Sequence, residues 1–111
     1  MPTATPRELV LDRVFTALAN HERRTVLRQL RRGPLETPVI AASFDFSKQA
    51  LSRHLAVLEE AGLVDRTAHG RVHSVSLLPQ PLDDVSAWIS EVRRGWQSSL
   101  DRLDRVLRGS S

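Results

Sequence analysis

The chain contains no cysteine. That single absence excludes disulfides, thiolate metal sites and cysteine nucleophiles together, and it fits a reducing cytoplasm. No apolar run approaches the roughly 18 residues needed to cross a bilayer, and no signal peptide is legible at the start. A large excess of one charge is also missing. Sixteen basic and 13 acidic side chains leave a net +3, too little to argue nucleic-acid binding alone. The basic side is mostly arginine, the better residue for bidentate contact with phosphate or guanine. Asp, His and Ser occur without a nucleophile elbow or other catalytic context, so an enzyme is not expected. At 111 residues, a single domain (1–111) with a modest core is expected.

What is present is organised around the stretch from Ser47 to Leu63. Ser47 can take an N-cap, where its hydroxyl accepts an orphaned backbone N–H. Gly62 stands where the chain must leave the helix, and glycine tolerates the left-handed C′ conformation. Between them Leu51, Leu55 and Leu58 stack on one face at spacings of four and three. The other side carries Gln49, Ser52, Arg53 and Glu60, with Lys48 and His54 at the flanks. This outer face is predicted to enter a DNA major groove.

The remaining chain supplies a frame for that helix. Residues 1–4 read as a flexible arm, and residues 5–32 as two helices. Thr5-Pro6-Arg7-Glu8 is a capping-box start, followed by the stripe Val10, Val14 and Leu18 with Leu11 and Phe15 beside it. Asn20 caps a second helix marked by Val26, Leu27 and Leu30, and Gly33-Pro34 stops it. Thr37 as cap and Pro38 after it start a short third helix with Ile40, Ala41 and Phe44 inward. Asp45-Phe46 then connects tightly to Ser47. Residues 37–62 thus form a helix-turn-helix pattern; the alternative is an ordinary helical hairpin in a bundle.

Residues 63–78 read as a wing. The runs Leu63–Ala68 and Arg71–Leu77 are β-leaning, with His69-Gly70 as a two-residue turn. Arg66 and Arg71 would reach phosphates or a minor groove; the alternative is solvated hairpin charge. After Pro79 and Pro81, residues 82–107 carry a helical stripe of Leu82, Val85, Trp88, Ile89, Val92, Trp96, Leu100, Leu103 and Val106. At 1.5 Å per residue such a helix outruns the core of a small domain. Its overhanging apolar residues predict a partner subunit, with Val10, Val14 and Leu18 meeting Trp88, Val92, Trp96, Leu100 and Leu103 at the interface. The alternative is folding back over its own domain. Gly95 marks either a close helix crossing or a bend, and a frayed tail is expected over residues 109–111. The predicted fold class is mainly α with a small β-hairpin (α+β), a dimeric winged helix-turn-helix in the order α-α-α-α-β-β-α.

Two segments carry a family likeness. Val14-Phe15-Thr16-Ala17-Leu18-Ala19-Asn20-His21-Glu22-Arg23-Arg24-Thr25-Val26-Leu27 resembles the opening of the ArsR/SmtB-type winged-helix repressors. Leu51-Ser52-Arg53-His54-Leu55-Ala56-Val57-Leu58-Glu59-Glu60-Ala61-Gly62-Leu63-Val64 resembles their reading helix and its exit, with His69-Gly70-Arg71 following as the wing turn. The resemblance covers about residues 8–107. It implies a homodimeric transcriptional repressor that binds a palindromic operator and is encoded close to the genes it controls. The chain departs from the family where thiol-using members carry Cys-x-Cys, because Glu36, Thr37 and Pro38 stand there. Members that bind metal through the last helix use Asp, His and Glu. Here Asp83 and Asp84 are present, but His21, His54, His69 and His73 all precede that helix. A metal-independent branch without a cofactor is expected.

Within the reading helix, Gln49 suits adenine N6/N7 and Arg53 guanine O6/N7. Ser47, Lys48 and Ser52 suit phosphate contact, and Arg66, His69 and Arg71 are the wing's DNA-binding residues. His54 is either a packed boundary histidine or a phosphate contact. Trp88 and Trp96 are interface core, with a ligand cage as the alternative. The function expected is a cytoplasmic, sequence-specific regulator of double-stranded DNA, most simply a homodimeric repressor. Two alternatives stand beside it. One is a repressor answering a small organic ligand, held between the first and last helices, or an unrecognised metal site. The other is a winged-helix protein-interaction module.

Overall fold

The computed structural model describes residues 3–45 and 47–109. The start of the arm, Phe46 in the predicted connection and the last two residues of the tail lie outside the described residues. Along the chain run α1 (Pro6–Leu18), α2 (His21–Gln29), a 3-10 turn (Leu30–Arg32), β1 (Leu35–Glu36) and α3 (Thr37–Ala41). They are followed by α4 (Lys48–Glu60), β2 (Val64–His69), β3 (Val72–Leu77) and α5 (Gln80–Gly109). The architecture is a winged helix-turn-helix, mostly helical, with a small antiparallel sheet.

Side-chain caps set three of the helix starts. Thr5 Oγ1 accepts the Glu8 N–H at 3.1 Å while Glu8 accepts the Thr5 N–H at 2.9 Å, the reciprocal capping box. Asn20 caps α2 by accepting the Arg23 N–H at 3.0 Å. Ser47 caps α4 by accepting the Ala50 N–H at 3.1 Å. Thr37 departs from expectation. It is the first residue of α3, whose N-cap is Glu36 without a side-chain bond. The cause is a strand that the hydrophobic pattern does not reveal. Leu35 and Glu36 pair with Val75 and Ser74, so sheet pairing rather than a threonine cap ends the extended segment.

That strand makes the sheet three-stranded in the order β1-β3-β2. The wing itself is the β2–β3 hairpin, in register from Val64↔Leu77 to His69↔Val72. His69 is therefore the last paired residue, and Gly70-Arg71 is the two-residue turn, one position later than predicted. Gly70 takes φ +66° while no non-glycine among the described residues has positive φ, which suits a glycine at the first turn position.

The core is built from Leu11, Val14 and Ala17 of α1, Val26, Leu27 and Leu30, Ile40, and the leucine seam of α4. Leu63, Val64, Val75 and Val85 close it from the wing and α5. Two of the predicted interface residues belong here. Val14 has no exposed surface and Leu18 packs half-buried against the core, because α1 turns that side toward α2 and α4. Val14 is therefore not free to meet another subunit, whereas Leu18 keeps part of its surface.

The last helix starts at Gln80, two residues earlier than predicted, since Pro81 in its first turn lacks only an N–H that would be unpaired there anyway. Gly109, expected in the frayed tail, is its final residue. Its 30 residues make it about 45 Å long. Only its first part lies on the domain, where Phe15 and Trp88 meet edge to face with ring centroids 5.4 Å apart. Arg7 also donates to both oxygens of Glu91 there, at 2.8 and 3.3 Å. The rest projects, and the radius of gyration is 19.4 Å against about 13 Å for a compact chain of this length.

Candidate nucleic-acid interface

The helix-turn-helix is α3 and α4, and α4 is held so that one face is left open. Leu51, Leu55 and Leu58 are buried, while Gln49, Ser52, Arg53 and Ala56 are exposed along the opposite face. At its end the Gly62 N–H donates to Glu59 O at 2.9 Å and the Leu63 N–H to Leu58 O at 3.0 Å. With Gly62 at φ +72° this is a Schellman ending, and it turns the chain straight into β2. Gln49 and Arg53 stand one turn apart. Neither makes a hydrogen bond or ion pair with any described residue, so their full donor and acceptor sets face outward.

His54 is positioned differently from the DNA-contact reading. Its Nε2 lies 2.7 Å from Glu22 and its Nδ1 3.4 Å from Arg23 Nη1, and its side chain is only 16% exposed. Arginine can only donate, so Nδ1 accepts and Nε2 carries the proton that Glu22 receives. His54 is thus the packed boundary histidine, fastening α4 to α2. Arg23 continues the link, donating to Ala17 O at 2.7 Å and Thr16 O at 3.0 Å, and Arg24 donates to Leu18 O at 2.6 Å. These arginines reach the carbonyls of the last turn of α1, where Ala17 O and Leu18 O lie among those a helix end leaves over and Thr16 O also accepts the Ala19 N–H at 3.3 Å.

Arg66 is the second correction. It is mostly buried and ion-paired with Glu59 of α4, so it braces the wing against the reading helix rather than reaching outward. His69 and Arg71 remain exposed at the hairpin tip. Lys48 and Ser52, from the start of α4, border a groove of ≈ 350 Å³ whose far wall is Arg71 and His73. Ser47, the cap, is exposed beside them and keeps its own O–H to donate. His73, which the sequence pattern did not single out, lies on the same face of β3 as the buried Val75 by the strand's period of two.

The expected dimer face divides along α5. Trp96, Leu100 and Leu103 are 70%, 59% and 54% exposed, Val10 and Trp88 are partly exposed, and Val92 is half-buried. Leu9, Phe15, Ile89, Val106 and Leu107 are further exposed large apolar residues of the same two helices. Among the described residues, no three of His, Asp or Glu come together in a group that could hold a metal ion. None of the described helices is long and apolar enough to cross a membrane.

Comparison with known proteins agrees with this geometry. A helix-turn-helix domain family matches residues 18–67. The HTH-type transcriptional regulator Rv2034 of Mycobacterium tuberculosis is 43% identical over 61 residues, 54% of this chain and 57% of its own length. The chain thus spans little more than half of that relative. The transcriptional repressor SdpR of Bacillus subtilis is 30% identical over 79 residues, covering 71% of this chain and 88% of that protein. A crystal structure of an ArsR family transcriptional regulator superposes with a TM-score of 0.80 at 32% identity, over 87% of this chain and 98% of the other. Sequence likeness covers 71% of the chain and fold likeness 87%: this chain belongs to the ArsR family of DNA-binding, helix-turn-helix transcriptional regulators, which are not enzymes.

Proposed function

We propose that the protein is a cytoplasmic homodimeric repressor whose two α4 helices read successive major grooves of a palindromic operator. One observation carries the reading. Gln49 and Arg53 stand one turn apart, without a hydrogen-bond or ion-pair partner among the described residues, on the open face of a helix clamped on its other sides by a leucine seam, His54 and Arg66. A rigid mount with free recognition groups is what base reading requires. Ser47, Lys48, Ser52, His69 and Arg71 supply the surrounding backbone contacts. Repression is supported by the likeness to a protein named a transcriptional repressor.

Dimerisation is supported by the apolar surface of α5 and α1. On α1, Val10, Phe15 and the exposed part of Leu18 serve that pairing, against Trp88, Val92, Trp96, Leu100 and Leu103, while Val14 stays in the core. A twofold pairing sets half-sites about 10 base pairs apart, centre to centre. The test is a gel shift with DNA from upstream of the protein's own gene. Arg53→Ala weakens specific binding by about 1–3 kcal/mol while leaving non-specific binding nearly unchanged. Equal shifts for the wild type and Arg53→Ala would overturn this assignment.

A further inference from the structure

The groove between α4 and the wing gathers two cations, Lys48 and Arg71, and the imidazole of His73, beside the ion-paired Arg66. Lys48 comes from the first turn of α4, Arg71 from the hairpin turn and His73 from β3, and all three line one depression. None of them makes a hydrogen bond or ion pair with a described residue, and no carboxylate lines the groove among the described residues. The floor includes the buried leucines Leu51 and Leu55, which offer the cations no counter-charge. The spacing of the walls is set from within, because Arg66 ties β2 to Glu59 of α4. Like charges brought together over an apolar floor repel one another until an anion enters.

We propose that this groove is a single seat for one phosphate group, shared by Lys48, Arg71 and His73. The proposal rests on the DNA-binding reading and deepens it: two phosphate contacts assigned to different elements, and one residue assigned to nothing, become one site. A backbone phosphate of DNA and a free phosphate share the chemistry the seat recognises. A free phosphate ester that occupied it would compete with DNA directly, without any change of shape at the dimer interface.

The experiment uses the full chain and a random-sequence duplex, for which binding is dominated by phosphate neutralisation and log affinity falls with log salt at about 0.9 per phosphate. Lys48→Gln and Arg71→Gln are made singly and together, with unchanged unfolding midpoints checking the fold. Each dimer carries two such seats, so a shared seat requires the double variant to flatten the slope by about 1.8, one phosphate per reading head. Flattening by about 3.6, two phosphates per reading head, or no flattening at all overturns the proposal. In the wild type the duplex moves the ring signals of His73 in NMR spectra, and in the double variant it does not. An unmoved His73 signal in a bound wild-type complex also overturns it. Inorganic phosphate at constant ionic strength then identifies the source. Displacement of the duplex beyond that by chloride, lost in the double variant, shows a seat open to free phosphate; displacement equal to chloride assigns the seat to the DNA backbone alone. Failure of the DNA reading itself looks different, since the wild type would then bind no duplex at low salt.

Discussion

His54 and Glu22 lie 2.7 Å apart, joining the middle of the reading helix to the first turn of α2. The contact spans two elements far apart in sequence and turns the outer face of α4 into a mounted surface. With Arg23 on the other ring nitrogen, the histidine also links α4 to the carbonyl end of α1.

His54→Ala should therefore lower stability by about 1–2 kcal/mol, the scale of lost hydrogen bonds plus a little packing. Urea unfolding would show a lower midpoint at unchanged slope. A phosphate contact would behave differently, leaving the midpoint alone and weakening DNA binding.

Gln49→Ala removes an exposed side chain with no partner among the described residues, so the fold should be unaffected. Discrimination at one adenine position of each half-site should fall by about 1–3 kcal/mol. Competition binding with base-substituted operators reads this directly. A uniform loss across all sequences would instead make Gln49 a backbone contact.

Replacing Trp96 and Leu103 together with glutamate places charge on surface that is already exposed in the single chain. The expected outcome in sedimentation velocity is a monomer with a normal helical spectrum. Binding to a two-half-site operator should drop toward that of one reading head. A dimer that survives the substitution would move the interface elsewhere on the molecule.

Gly62→Ala puts a Cβ into a left-handed conformation at φ +72°, where steric strain costs about 1–2 kcal/mol. The space itself is ordinary, since the nearest atom is Pro81 Cγ at 3.6 Å. The loss should appear as a lower thermal midpoint, and Gly62→Asn should recover part of it because asparagine tolerates that region. Equal losses for both would mean that crowding rather than φ decides.

The hydrogen bond from Arg7 holds the Glu91 carboxyl below the usual carboxylate range, against desolvation and with help from the positive charges of Arg7 and Arg94. A lowered folded-state value means the pair stabilises above the ordinary glutamate range and is lost as pH falls through the lowered value. Glu91→Gln should therefore flatten the acid limb of the thermal midpoint against pH while changing little near neutrality. An unchanged acid limb would show that the exposed pair contributes nothing measurable.

Much of the reading helix was legible in one dimension because its signals are local. Ser47, the leucine spacing and Gly62 act within a few residues of one another, and each does in the structure what its chemistry implies. The same holds for the Thr5–Glu8 box and the Asn20 cap. β1 was not legible, since two residues carry no periodicity and their pairing partner lies in β3. The turn slipped by one position because glycine marks a hairpin without saying which side of it closes.

The sequence by itself determined where helices begin and end, which side of α4 is apolar, and that α5 is too long for its own domain. Those are consequences of caps, glycine conformations and spacing, all of them short-range physics. Only the tertiary structure decided what the charged and apolar side chains at the boundaries are for. It turned His54 and Arg66 inward as braces, left Gln49, Arg53 and Arg71 without partners among the described residues, and drew Val14 into the core with Leu18 against it. An arginine or histidine reads the same in sequence whether a carboxylate waits across the fold or not. The partner that settles its role is supplied by packing between distant elements.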